Sequence, residues 1–271
     1  MEQKLRITAQ NFPQLSYLKT GSGPVVILLH GFPESGDLWR DVWPSLSNQF
    51  TVIVPDLPGS GESSFQGETV SIEQLAGSVK LIADNEGVRE AIIAGHSMGG
   101  YVALAFAELY GHMLRGLALV HSTAAADTDE KKDTRKKSIE LINKGGKEAF
   151  IRQMIPALFS TAFKDNKEAL DREIVKGLKL EAKSMVAFYN AMINRPERIA
   201  TLNGAAYPVQ WIFGKEDSVI PPSKVMQQST LADVNFISIY PGSAHMSMLE
   251  CPEKLADDLA EFGRYCYKLT Q

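Results

Sequence analysis

The chain has 271 residues, 44% hydrophobic and 22% charged, with 28 Lys and Arg against 32 Asp and Glu. That is ordinary globular usage, with enough length for one large domain carrying an insertion. A net charge of −4 gives no electrostatic case for nucleic acid or an anionic membrane surface, and the apolar runs are strand-sized, too short to span a bilayer.

Leu5-Arg6-Ile7 and Leu15-Ser16-Tyr17-Leu18 read as short strands around a turn at Asn11-Phe12-Pro13. Val25 to Leu29 is an unbroken aliphatic run, the pattern of a strand buried on both faces of a sheet. It leads into His30-Gly31-Phe32-Pro33-Glu34-Ser35, and a short helix is expected around Leu38 to Leu46. Thr51 to Val54 is the next buried strand, closed by Asp56-Leu57-Pro58-Gly59-Ser60-Gly61. Ser71 begins a helix with Ile72, Leu75, Val79 and Ile82 on one face, ending near Gly87. Glu90 to Ala94 and Gly116 to Val120 are strands on either side of a helical pattern that starts at Tyr101. This alternation calls for an α/β architecture: a mostly parallel sheet with helices on both faces.

From about Ala124 to Ala205 the strand pattern stops. Lys131 to Asn143, Lys147 to Phe159, Lys167 to Leu180 and Ala182 to Asn194 each read as helices, with breaks at Gly145-Gly146 and Pro196. Strands resume at Tyr207 to Phe213 and Val234 to Ile239, and Pro252 to Tyr267 closes the chain as an amphipathic helix. Residues 1–123 and 206–271 are therefore expected to form the core, and 124–205 an all-helical insert. The mixed-charge run Asp127 to Lys137 reads as a solvated helix face. Met1 to Arg6 has no apolar h-region, and Cys251 and Cys266 read as reduced thiols, so a cytoplasmic location is expected. No Cys/His spacing suggests zinc.

The sharpest local signal is Gly95-His96-Ser97-Met98-Gly99, set between a strand pattern and a helical one. Glycines that let strand and helix pass closely push such a serine out beyond the sheet. The bland alternative is a tight turn whose serine caps the helix. A serine hydroxyl needs an adjacent base to act as a nucleophile. His245 stands in a loop after the last strand, on the edge where parallel sheets place ligands. His30 ends a buried strand and reads as structural, His96 should point sideways or inward, and His112 and His121 have no placed role. Asp217 follows the strand ending at Phe213 and is the carboxylate assigned to orient the imidazole, with Glu216 and Asp127 behind it. Ser97, Asp217 and His245 each follow a predicted strand, an order more specific than any one piece. The N–H groups of Met98 and Phe32 are the expected donors to a developing oxyanion.

Met185, Phe188, Tyr189 and Met192 fall at i, i+3, i+4 and i+7, and Phe159 belongs to a second apolar stripe with Ile155 and Leu158. Part of these stripes packs helix on helix. Part is expected to roof a pocket over Ser97, favouring an acyl or alcohol group of moderate hydrophobicity. No Arg or Lys is obviously placed to receive a substrate carboxylate.

With His30-Gly31-Phe32-Pro33, Asp56 to Gly61, Gly95 to Gly100, Gly214 to Asp217 and the His245 loop together, the chain resembles the α/β-hydrolase family over nearly its whole length. The resemblance implies a central eight-stranded sheet with a helical cap inserted after the sixth strand. It also implies Ser97 as nucleophile, Asp217 as acid, His245 as base, and Phe32 with Met98 as the oxyanion hole. The opening from His30 to Ser35 looks like that of epoxide hydrolases and haloalkane dehalogenases. Those enzymes carry an aspartate where this chain has Ser97, so their alkyl-ester chemistry is not expected. Arg195-Pro196-Glu197-Arg198 is similar to the cap exit of carboxylesterases and enol-lactonases. Pro58 and Ser60 depart from the arginine and histidine that relatives often carry there.

The expectation is a carboxylic ester hydrolase that cleaves small to medium esters or lactones through an acyl-enzyme, with no cofactor and no metal. A small-molecule ester or lactone is the expected partner, without nucleic acid or a membrane span; nothing in the sequence selects an oligomeric state. The same triad also supports C–C bond hydrolysis or perhydrolysis, and some relatives use the capped pocket to bind a ligand as signalling proteins.

Overall fold

The computed structural model describes residues 4–268. The aliphatic runs become the strands of one eight-stranded sheet in the order β1-β2-β4-β3-β5-β6-β7-β8. These are β1 (Leu5–Ala9), β2 (Phe12–Thr20), β3 (Val25–Leu29), β4 (Thr51–Pro55), β5 (Ala91–His96), β6 (Leu114–Val120), β7 (Val209–Gly214) and β8 (Asn235–Tyr240). β2 runs antiparallel to β1 and β4, and every other pairing is parallel. Phe12 and Pro13 do not form the expected turn. They open β2, where Phe12 pairs with Ala9 and its side chain is buried.

The helices are α1 (Trp43–Leu46), α2 (Ile72–Asn85), α3 (Met98–Tyr110), α4 (Asp129–Leu141), α5 (Lys147–Ala157), α6 (Lys167–Gly177), α7 (Ala182–Asn194), α8 (Pro222–Met226), α9 (Ser247–Glu250) and α10 (Pro252–Tyr267). Ser71 caps α2 reciprocally: its hydroxyl accepts from the Gln74 N–H, and the Gln74 side chain accepts from the Ser71 N–H. Gly87, at φ +66, follows the α2 C-cap in the left-handed conformation that ends many helices. α10 buries Leu255, Leu259 and Phe262, as its amphipathic pattern requires. Among the described residues no helix is long and apolar enough to cross a membrane.

The chain passes from β3 outward to β4, then returns to the other side of β3 for β5. This reversal opens a crevice at the carboxyl ends of β3 and β5, where open α/β sheets bind ligands. α4, α5, α6 and α7 all lie between β6 and β7 in the chain. α5 buries Phe150, Ile151 and Ile155, and α7 buries Met185, Phe188, Tyr189 and Met192. Gly145, at φ +86, sits in the wide turn joining α4 to α5.

The ends of this helical stretch are fastened at one place. The Arg198 N–H donates to the Ala124 carbonyl at 2.8 Å, and Arg195 donates to the Ala125 carbonyl at 2.9 Å. The Arg198 guanidinium pairs with Glu108 at 2.9 Å and with Glu73. Asp127 is not on a solvated face as the sequence suggests. It is buried between Arg135 at 2.7 Å and Arg195 at 3.0 Å, and the Arg195 guanidinium lies 3.8 Å over the Tyr101 ring.

Candidate active site

Ser97 stands between β5 and α3 at φ 50°, ψ −113°. A positive φ is costly for a residue with a Cβ, and persists only where the surroundings enforce it. Here they do. A Cβ on Gly95 would lie 2.3 Å from the Gly99 carbonyl oxygen, and one on Gly99 would lie 2.5 Å from the carbonyl oxygens of Leu29 and His30. Only glycines allow strand, helix and the β3 end to meet this closely. The Ser97 N–H donates to the Val120 carbonyl at 3.0 Å, and the Ser122 hydroxyl donates to the Ser97 carbonyl at 2.8 Å. The Ser97 side chain makes no capping hydrogen bond, so the capping alternative does not describe this turn.

His245 and Asp217 come together from the loops after β8 and β7. The His245 Nδ1 lies 2.8 Å from Asp217 Oδ2, and both residues are buried. The Val219 and Ile220 N–H groups donate to Asp217 Oδ1 at 2.9 and 2.8 Å. Burial alone would raise the Asp217 pKa, but His245 and His121 beside it outweigh burial and hold it well below the usual carboxylate range. Glu216 points elsewhere and accepts from the Thr161 N–H at 3.0 Å. Asp127 is engaged by its two arginines. His96, buried as expected, lies with Nε2 2.9 Å from the His245 carbonyl oxygen, which sets the serine turn and the histidine loop side by side. Burial, then the neighbouring His245 and His121, push its pKa well down. A neutral His96 donates from Nε2 and keeps Nδ1 as an acceptor.

His30 is structural, as its position suggested. Its Nδ1 lies 2.7 Å from the Gly31 carbonyl, and its Nε2 accepts from the Leu57 N–H at 2.9 Å. Burial lowers its pKa to about 4, so the neutral ring locks the loop after β3 onto the loop after β4. In the loop after β3 a Cβ on Gly31 would lie 2.6 Å from His96 Nδ1, so the residue before Phe32 lies against the serine turn. Met98 is the first residue of α3, so its N–H has no partner within the helix. The Phe32 ring packs 4.8 Å from the Tyr189 ring and 6.4 Å from the Phe188 ring, centroid to centroid.

A cavity of about 280 Å³ opens between the loop after β3 and the helices α5 to α7, with Pro33, Ile155 and Met246 in its wall. Phe159, Met185, Phe188, Tyr189 and Met192 are all buried but do not line this cavity. Phe159 stacks on Phe163 at 4.5 Å. Basic groups reach the cavity wall. Lys176, Lys179 and Lys183 line it, with Lys176 paired to Glu173 at 2.7 Å and Lys183 to Glu181 at 3.0 Å.

Glu34 also borders the cavity, yet both carboxyl oxygens are shut off from solvent and lack a hydrogen-bond partner. Burial raises its pKa from 4.5 to about 8. A carboxyl raised this way holds a proton in the folded state that the unfolded chain releases, so stability falls as pH rises from 4.5 towards about 8. Glu34→Gln is neutral throughout and should lose that slope. Urea titrations at pH 5 and pH 9 are expected to show the variant gaining on the wild type at the higher pH by a few kcal/mol. Equal pH dependence in the two proteins would exclude a buried, protonated Glu34.

His121 is the residue that sequence reasoning missed. It follows β6 directly at φ 50°, and its Nδ1 lies 3.0 Å from the same Asp217 Oδ2 that His245 meets. The available signal was its position at the carboxyl end of a central strand, the edge already credited to Ser97, Asp217 and His245. His121, Asp217 and His245 have the composition of a cation cage, with donor atoms within 4.8 Å of one another. Both Nδ1 atoms stand at hydrogen-bond distance from one carboxylate oxygen, the arrangement of two ring N–H groups donating to an ionised Asp217.

A family model described as alpha/beta hydrolase fold matches residues 24–252. The chain is an α/β-hydrolase. A thermophilic esterase from Thermogutta terrifontis, solved with malate bound, superposes on this α/β-hydrolase with a TM-score of 0.91 at 29% identity, over 97% of this chain and 99% of that one. An enol-lactonase from Burkholderia xenovorans shares the fold with a TM-score of 0.84 at 20% identity, over 92% of this chain and 96% of the other. A pimeloyl-acyl-carrier-protein methyl ester esterase from Pseudoalteromonas atlantica is 25% identical over 255 residues, 89% of this chain and 95% of that protein.

Proposed function

We propose that this α/β-hydrolase is a serine hydrolase of small to medium carboxylic esters or lactones, acting through an acyl-enzyme on Ser97. The observation that carries the reading is the strained Ser97 turn tied, through His96, to a His245 whose Nδ1 is held by Asp217. The similarity to an esterase at 29% identity over almost the whole chain adds to it.

An ionised Asp217 accepts the Nδ1 proton of His245 and leaves Nε2 unprotonated. That nitrogen takes the Ser97 proton as Oγ bonds to the substrate carbonyl carbon. The carbonyl oxygen gains negative charge and rests on the N–H groups of Phe32 and Met98. Removing one donor of such a pair costs about 3 kcal/mol of barrier stabilisation. The C–O bond to the leaving alcohol breaks as His245 returns the proton to that oxygen. Water, deprotonated by His245, then attacks the acyl-Ser97 carbonyl, and the acid is released as the bond to Oγ breaks and His245 returns the proton to Oγ.

Residues 124–205 serve in this reading as a cap. The cavity under α5 to α7 has Pro33 and Met246 in its wall, next in the chain to Phe32 and His245, and would take a substrate's tail, while Ser97, Asp217 and His245 are not among its lining residues. Lys179 stands in the same wall with no ion pair among the described residues, and in this reading meets a polar or anionic tail.

A panel of p-nitrophenyl esters of rising chain length and simple lactones tests the reading, together with labelling by a serine-directed fluorophosphonate. Turnover is expected to peak among the shorter esters, and the label should map to the peptide containing Ser97. Absence of both turnover and labelling would sink the proposal.

A further inference from the structure

Asp217 has four hydrogen-bond donors, not the three usual for a carboxylate that serves one imidazole and two backbone groups. Oδ1 accepts from Val219 and Ile220, and Oδ2 faces the Nδ1 atoms of both His245 and His121 at 2.8 and 3.0 Å. Four donors use up the lone pairs of a carboxylate. An ionised carboxylate only accepts, so His121 must carry its proton on Nδ1. Its Nε2 lies 2.9 Å from the Ser247 hydroxyl, which then donates to it. The two rings are 5.6 Å apart, centroid to centroid. His121 is fully buried in the left-handed region, and its N–H donates to the Ile212 carbonyl at 2.8 Å. Backbone strain at a site with no other assignment points to a role for the side chain.

We propose that His121 is a positioning residue for the reaction, sharing Asp217 Oδ2 with His245 and so fixing the direction in which the carboxylate presents that oxygen to the His245 ring. This rests on the triad proposed above. The second N–H stops the carboxylate from rotating when His245 gains a proton. The groups facing His121 are Asp217, His245, Glu250, and His96 with its ring 6.1 Å away. Of these, Asp217 alone is within hydrogen-bond reach of Nδ1.

The test compares wild type, His121→Phe and His121→Asn on p-nitrophenyl acetate. The phenyl ring fills the space without a donor, and the asparagine amide can return an N–H to Oδ2. In His121→Phe kcat should fall about tenfold with KM little changed. His121→Asn should bring kcat back. An unchanged kcat in a folded His121→Phe overturns the proposal, as does an equal loss in both variants. If His121→Phe does not fold, ¹⁵N NMR of histidine-labelled wild type decides. His121 protonated on Nδ1 supports the proposal, and protonation on Nε2 overturns it. Fluorophosphonate labelling of wild type separates the two readings, because its absence defeats the triad while leaving the His121 tautomer open to measurement.

Discussion

Ser97→Ala is expected to lower kcat for p-nitrophenyl acetate about 10⁶-fold, and to abolish the burst of p-nitrophenol and the fluorophosphonate label. The large size follows from how the parts depend on each other. Without Oγ there is no atom to form the acyl bond, and His245 and Asp217 have nothing to activate. What remains is water attack assisted by the oxyanion donors and by binding. For the same reason Ser97→Ala combined with His245→Ala should lose no more than either change alone. Additive losses in the double variant, or a surviving burst in Ser97→Ala, would mean that the covalent step lies elsewhere.

Asp217→Asn should cost about 10⁴-fold in kcat with little change in fold, and the two ends of the side chain explain why. Oδ1 accepts from the N–H groups of Val219 and Ile220, so the asparagine keeps its carbonyl oxygen there. That forces the amide nitrogen into the place of Oδ2, facing the Nδ1 atoms of His245 and His121. Both rings must then accept at Nδ1 and move their protons to Nε2. His121 tolerates this because the Ser247 hydroxyl can reverse and accept. His245 does not, because its Nε2 is the position that must take the Ser97 proton. Steady-state kinetics with a circular dichroism control tests the prediction, and near-normal kcat would remove Asp217 from the mechanism.

The central strands were legible because they are buried on both faces. Val25 to Leu29 and Ala91 to His96 carry no polar alternation, and the structure makes each a central strand. The helices between β6 and β7 could be read from their spacing and from the breaks at Gly145-Gly146 and Pro196. Ser97, Asp217 and His245 could be proposed together because each follows a strand on one edge. His121 satisfies that criterion too, but its partner Asp217 lies 96 residues away in sequence and no local spacing links them. Asp127 was misread for a similar reason. Its neighbours in sequence are charged and exposed, while Arg195, which helps to bury it, comes from the far end of the helical stretch.

The fastening of Arg198 to Ala124 has a thermodynamic consequence for how such a chain can change. The core already fixes both ends of everything between them, so that interval is a closed loop. Closure entropy grows only with the logarithm of loop length, about 0.6 kcal/mol for each doubling. Turns or whole helices can therefore be gained, lost or exchanged in the interval at little cost to the sheet below. Substrate range can drift by change of length and sequence above the strands, while the loops at the strand ends, and the proton transfers proposed for them, stay as they are.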